Sequence, residues 1–160
     1  MFSFGQQYFQ SINYDYKASG QSLTRFQLKG FKVNYNVLQS EVQCNIGAQA
    51  MIKVSVDNQD VLEVAECAGP VSALDKALRK ALVQFYPVID SFYLTDYKVR
   101  ILNGEAGTSA RIRVLVESSD DHQRWSTIGV SANILEASYQ AVASGIEYGL
   151  CRVVPAVALI

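Results

Sequence analysis

Phe26-Gln-Leu-Lys-Gly-Phe-Lys-Val33 and Phe92-Tyr-Leu-Thr-Asp-Tyr-Lys-Val99 are one segment written twice. Phe, Leu, Lys and Val coincide at an offset of 66 (92 − 26), and Phe31 meets Tyr97. The correspondence runs on. Ile52–Val56 sits against Ile112–Val116 at an offset of 60, and Val61–Cys67 against Trp125–Ser131 at 64. Ala73, Ala77 and Ala81 then match Ala137, Ala141 and Gly145, again at 64. The offset changes only between patterned segments, where turns absorb insertions. A long period of this kind marks a duplicated structural unit. Repeat one reads as residues 22–87 and repeat two as 88–151, with residues 1–21 a linker or tail and 152–160 a second tail.

Each repeat carries the same order of signals. A β-type segment comes first, Leu23–Tyr35 or Phe92–Leu102. An alternating strand follows: Ala48, Ala50, Ile52, Val54 and Val56 share one face, as do Ala110, Ile112, Val114 and Val116. Such a period of two gives a strand one buried and one wetter face. Polar turns at Asp57–Asp60 and Ser118–His122 lead into a third strand, Val61–Glu66 or Arg124–Val130, so each repeat holds a hairpin. A helix closes the unit. In repeat one Gly69-Pro70 starts it, with proline where its missing N–H is not needed. In repeat two Asn133 and Glu136 have the spacing of a capping pair. The matched rows of small residues suit close approach of each helix to a sheet, although alanine is also a good helix former in its own right. The expected fold is therefore α+β, two βββα repeats in one domain with the sheets packed on helices. A three-stranded sheet with one helix leaves an apolar face to cover. Phe31, Val33, Met51, Tyr97, Leu115 and Trp125 supply that face, which points to a dimer.

Composition excludes several classes. Hydrophobic residues at 49% and charged residues at 18% suffice for a buried core. Fourteen Lys+Arg against fifteen Asp+Glu leave no basic stripe for phosphates, so no nucleic-acid partner is expected. The apolar stretches fall far below the ~18 residues of a membrane span, and no membrane partner is expected. Cys44, Cys67 and Cys151 are too few and too scattered for a disulfide framework; they read as thiols of a cytoplasmic protein. The one histidine, His122, lies in a polar turn and lacks the partners of a catalytic pair. No metal-ligand set, phosphate-binding loop or cofactor motif occurs. By itself the chain is expected to be no enzyme, with no catalytic residue, no metal and no cofactor.

Certain stretches are more specific. Gly69-Pro-Val-Ser-Ala-Leu-Asp-Lys-Ala-Leu-Arg-Lys-Ala-Leu82, Leu94-Thr-Asp-Tyr-Lys-Val-Arg-Ile-Leu102 and Trp125-Ser-Thr-Ile-Gly-Val-Ser131 running into Asn133-Ile-Leu-Glu-Ala-Ser138 resemble the C-terminal regulatory domain of the citramalate and 2-isopropylmalate synthases, the citramalate branch more closely. The resemblance covers residues 22–150 and implies several things. Two βββα repeats form a twofold homodimer. The parent enzyme is a transferase that condenses acetyl-CoA with a 2-keto acid, on an upstream catalytic (β/α)8 barrel this chain lacks. The domain binds the end product, isoleucine or leucine, in feedback inhibition. The alternative is a dimerisation module that senses nothing. The effector pocket of such domains lies where the first helix runs into the second repeat. Here that implies Leu82, Phe85, Ile89, Thr95 and Val99, with Gly69, Pro70 and Val71 shaping the same area. Leu82 and Phe85 read equally well as plain core.

Overall fold

The structure, a computed structural model, describes residues 25–40 and 43–154. The expected linker over 1–21 and the last six residues of the expected tail over 152–160 lie outside them. Strands β1 (Gln27–Ser40), β2 (Gln43–Val56) and β3 (Gln59–Cys67) form one antiparallel sheet in the order β1-β2-β3, and helix α1 (Pro70–Val83) follows. A short 3-10 connector (Pro87–Ser91) leads to β4 (Tyr93–Ile101), β5 (Ile112–Ser119) and β6 (Arg124–Ser131), ordered β4-β5-β6, and then helix α2 (Ile134–Val153). The α+β architecture with two βββα units is as expected.

The strand faces follow the alternation. Ala48, Ala50, Ile52, Val54 and Val56 are buried under α1, as are Val114 and Val116 under α2. The register corrects one detail. Leu28 pairs with Val54 and Leu94 with Ser118, so β2 and β5 are related by 64 residues (118 − 54), not 60. A slip of four keeps every side chain on its face, so alternation alone cannot detect it. The same register carries a β-bulge in both repeats: Lys29 in β1 and Thr95 in β4 are extra residues, each opposed by no partner of its own. β1 and β2 also pair beyond Tyr35, out to Ser40 and Gln43, a stretch to which the sequence reading assigned no element.

The helix starts are those read from the sequence. Gly69 caps α1 with Pro70 at its first position, and the Asn133 side chain accepts from the amides of Leu135 and Glu136 at the start of α2. Such a cap contributes about 1 kcal/mol. Glu136 does not reach back to Asn133; its carboxylate accepts from Ser131 Oγ at 2.6 Å, and Ser131 in turn accepts from the Asn133 amide. The small rows are buried to the last residue, Ala73, Ala77 and Ala81 against one sheet and Ala137, Ala141 and Gly145 against the other. There the close-packing reading holds.

The two units share a single core. Phe31 of β1 stacks on Tyr139 of α2, with ring centroids 5.6 Å apart. Arg25 donates to the Val154 carbonyl at 2.6 Å, and the Tyr86 hydroxyl donates to the Arg25 carbonyl at 2.9 Å. Trp125, Phe31 and Val33, expected on an outer apolar face, are instead packed into this core, whereas Met51 and Tyr97 stay exposed.

Glu147 of α2 is largely buried, and burial pushes its carboxyl from 4.5 up to about 7. The folded chain thus holds this proton more tightly than the unfolded one. The contribution is fully present below pH 4.5 and is lost as pH climbs through 7. Glu147→Gln mimics the protonated form. It is expected to leave the melting temperature unchanged near pH 4.5 and to stabilise the chain at pH 8. That gain is ~2 kcal/mol, discounted for the part of the group that water reaches. Thermal unfolding of both proteins at the two pH values checks this; equal shifts at both would refute it.

Candidate effector site

Leu82 stands on the last turn of α1, fully buried. The chain then folds back tightly: the amides of Phe85 and Tyr86 both donate to the Leu82 carbonyl, and that of Ile89 to Tyr86. Leu82, Phe85 and Ile89 thus lie along the junction between repeats as an apolar wall, in which Leu82 and Ile89 are buried core and only Phe85 is part exposed.

β4 supplies a second, wetter wall. Thr95 is the bulge residue, and its hydroxyl donates to Glu117 Oε1 at 2.9 Å. A bulge re-aims a side chain out of the regular alternation, and here it turns Thr95 toward Glu117. Val99 lies on the helix-facing side of β4, paired with Val114, and is nevertheless 44% exposed. Its neighbours on that side, Tyr97 at 37% and Ile101 at 60%, are exposed as well. Only the Tyr97 hydroxyl is engaged, with Ser138 Oγ of α2 at 2.9 Å. The result is an apolar strip along an edge strand that α2 does not cover.

Gly69, Pro70 and Val71 are not part of this arrangement within one chain. They begin α1 and lie ~18 Å along its axis from Leu82. Val71 instead lines a narrow crevice between the helices with Leu74, Asp75, Leu78, Ser138, Tyr139 and Val142. The crevice has no room for a water molecule.

Two groups escaped the sequence reading. Asp75 and Arg79 form an ion pair one helical turn apart, Nε to Oδ1 at 2.9 Å, and Arg79 Nη1 donates to the Phe92 carbonyl at 2.6 Å. Burial raises the Asp75 pKa against the pull of Arg79. The i,i+4 spacing was a visible signal for the pair, but nothing in it announced the third partner.

His122 is exposed in a turn held by Asp120, whose carboxylate accepts from the amides of His122 and Gln123. Among the described residues no group of three or more His, Cys, Asp or Glu is placed to hold a metal ion. No helix among them is long and apolar enough to cross a membrane.

Residues 13–150 match the family described as the LeuA allosteric (dimerisation) domain. The chain is 60% identical over 135 residues to an (R)-citramalate synthase of Synechocystis sp., covering 84% of this chain and 25% of that protein. It is 48% identical over 105 residues to the (R)-citramalate synthase of Aquifex aeolicus, 66% of this chain and 20% of that one. The corresponding enzyme of Sulfolobus acidocaldarius is 43% identical over 120 residues, 74% and 21% of the two chains. The chain thus spans a quarter or less of the length of these relatives.

Proposed function

The chain belongs to the LeuA allosteric (dimerisation) domain family, and from that premise we propose that it is the regulatory, dimer-forming part of a citramalate synthase, binding isoleucine or leucine as a feedback effector. The parent transferase condenses acetyl-CoA with a 2-keto acid in a catalytic domain beyond this chain. One observation carries the reading: the wall of Leu82, Phe85 and Ile89 runs directly into the strand bearing Thr95 and Val99. Part-exposed Phe85 offers the apolar contact for a branched side chain. The Thr95 and Glu117 oxygens, 2.9 Å apart, suit an ammonium group.

The uncovered strip of Tyr97, Val99 and Ile101 is the surface on which a second copy would close. Contiguous exposed apolar surface is uncommon on a monomer. Burying Val99 between two copies would place the effector next to the contact, so that ligand and dimer geometry are coupled.

Calorimetry of the full chain with isoleucine, leucine and valine tests the sensing, and sedimentation velocity with and without Val99→Asp tests the surface. Binding of one branched-chain amino acid to a dimer that Val99→Asp dissociates is the expected result. A dimer that gives neither heat nor a rise in melting temperature with any of them leaves a dimerisation module alone.

A further inference from the structure

We propose that Arg79 is a positioning residue that holds the two walls of the effector site in their relative places; the inference rests on the effector reading above. One guanidinium ties α1, whose last turn carries Leu82 and leads into Phe85, to Phe92, which immediately precedes the strand carrying Thr95 and Val99.

The geometry is that of a latch. Arg79 Nε donates to both Asp75 oxygens, at 2.9 and 3.1 Å. This fixes the plane of the guanidinium, and a planar fork of donors then has its remaining directions set. Nη1 is thereby aimed at the Phe92 carbonyl, 2.6 Å away. The Phe92 amide donates to the Ile89 carbonyl at 2.9 Å, so the same hold reaches the effector wall. At its other end the connector is pinned by the Tyr86 hydroxyl on the Arg25 carbonyl.

A helical ion pair made only for local support needs no third partner. Arg79 spends a donor on a backbone carbonyl thirteen residues on, across the junction of the repeats. The equivalent position in repeat two is Ala143, 64 residues later (143 − 79), so α2 has no arginine to repeat the latch. The pair is about one-fifth exposed, with side chains at 19% and 18%, so water competes weakly with it.

The chain carries its own reporter. Phe92 meets the sole tryptophan, Trp125, edge-on, with centroids 5.5 Å apart and planes at 86°. Releasing the Phe92 carbonyl loosens that ring contact and alters the emission of Trp125.

The test uses the full chain as wild type, as Asp75→Asn/Arg79→Met, and as Arg79→Lys. The double variant removes the latch without leaving a buried carboxylate unpaired. Arg79→Lys keeps the charge but, as a point donor, serves one of the two partners at a time, and it carries the test should the double variant fail to fold. The readouts are hydrogen exchange of the Tyr93–Tyr97 amides, Trp125 emission, and affinity for isoleucine and leucine by calorimetry. The double variant is expected to exchange faster at the start of β4 alone, to shift the emission, and to bind about tenfold more weakly, with Arg79→Lys between the two. Unchanged exchange and emission, or affinity within about twofold of wild type, overturns the proposal. Should the wild type bind neither amino acid, the effector reading falls, and exchange and emission alone decide whether Arg79 positions β4.

Discussion

Replacing Gly129 with alanine is expected to lower the stability of the chain by about 3 kcal/mol, the upper end of what overpacking costs. Gly129 lies on the helix-facing side of β6, opposite Val114. A Cβ there would stand 1.9 Å from the Ala137 carbonyl oxygen, 2.9 Å from the Ala137 carbonyl carbon and 2.9 Å from the Ala141 nitrogen. All three are backbone atoms of α2, so no rotamer change relieves the clash and the helix itself must lift. Lifting it opens the contacts of Ala137 and Ala141, which are fully buried, and stretches the 2.6 Å bond from Thr127 Oγ1 to the Ala141 carbonyl. Gly30→Ala is the control, because a Cβ at Gly30 meets nothing within 4 Å. Urea unfolding of the two variants, compared by midpoint at unchanged slope, separates them. Equal midpoints would mean that β6 and α2 are not this close.

Trp125→Ala is expected to cost ~4 kcal/mol, within the range for removing a large buried aromatic. Its ring receives Phe92 edge-on at 5.5 Å and Tyr148 at 5.8 Å, and the Arg152 guanidinium sits 5.4 Å from its centroid. Its indole N–H donates to the Gly145 carbonyl at 2.9 Å in a buried setting. Alanine removes all four interactions and leaves a cavity beside Gly149, where even one added carbon would lie 2.6 Å from Phe92. Trp125→Phe keeps most of the ring area and forfeits the hydrogen bond, so a loss of ~1.5 kcal/mol is expected. Because the only tryptophan is removed, circular dichroism is the measurement. Equal losses for the two variants would show that ring packing contributes little here.

The sequence disclosed most of the architecture because each element rests on a local chemical signal. Pro70 at the start of α1 and Asn133 at the start of α2 are read from single residues. The buried faces of β2 and β5 are read from strict alternation. What stayed hidden has no local signal. The Ile-x-Val-x-Val pattern of β2 recurs in β5 at an offset of 60, whereas the ladder relates the strands at 64 and sets Val54 against the buried Ser118, which no apolar pattern marks. Lys29 and Thr95 share no chemistry that would mark both as bulges. The pairing beyond Tyr35 runs through Asn36-Val-Leu-Gln-Ser40, which mixes polar and apolar residues without alternation. At the site, Leu82 and Ile89 could be placed by resemblance, but as they stand both are core. Arg79 could not be placed, because the group it holds is a main-chain oxygen and leaves no trace in composition.

The stacking of Phe31 on Tyr139 bears on how such a chain can be divided. Each half uses an aromatic ring of the other to finish its interior. A half cut free at the Pro87–Ser91 connector would therefore have to find its complement by diffusion. The short connector replaces that search with an effective concentration in the millimolar range, and it frees matched positions to specialise. Asp75 and Tyr139 occupy corresponding places 64 residues apart (139 − 75), and the one carries a charge where the other carries a ring.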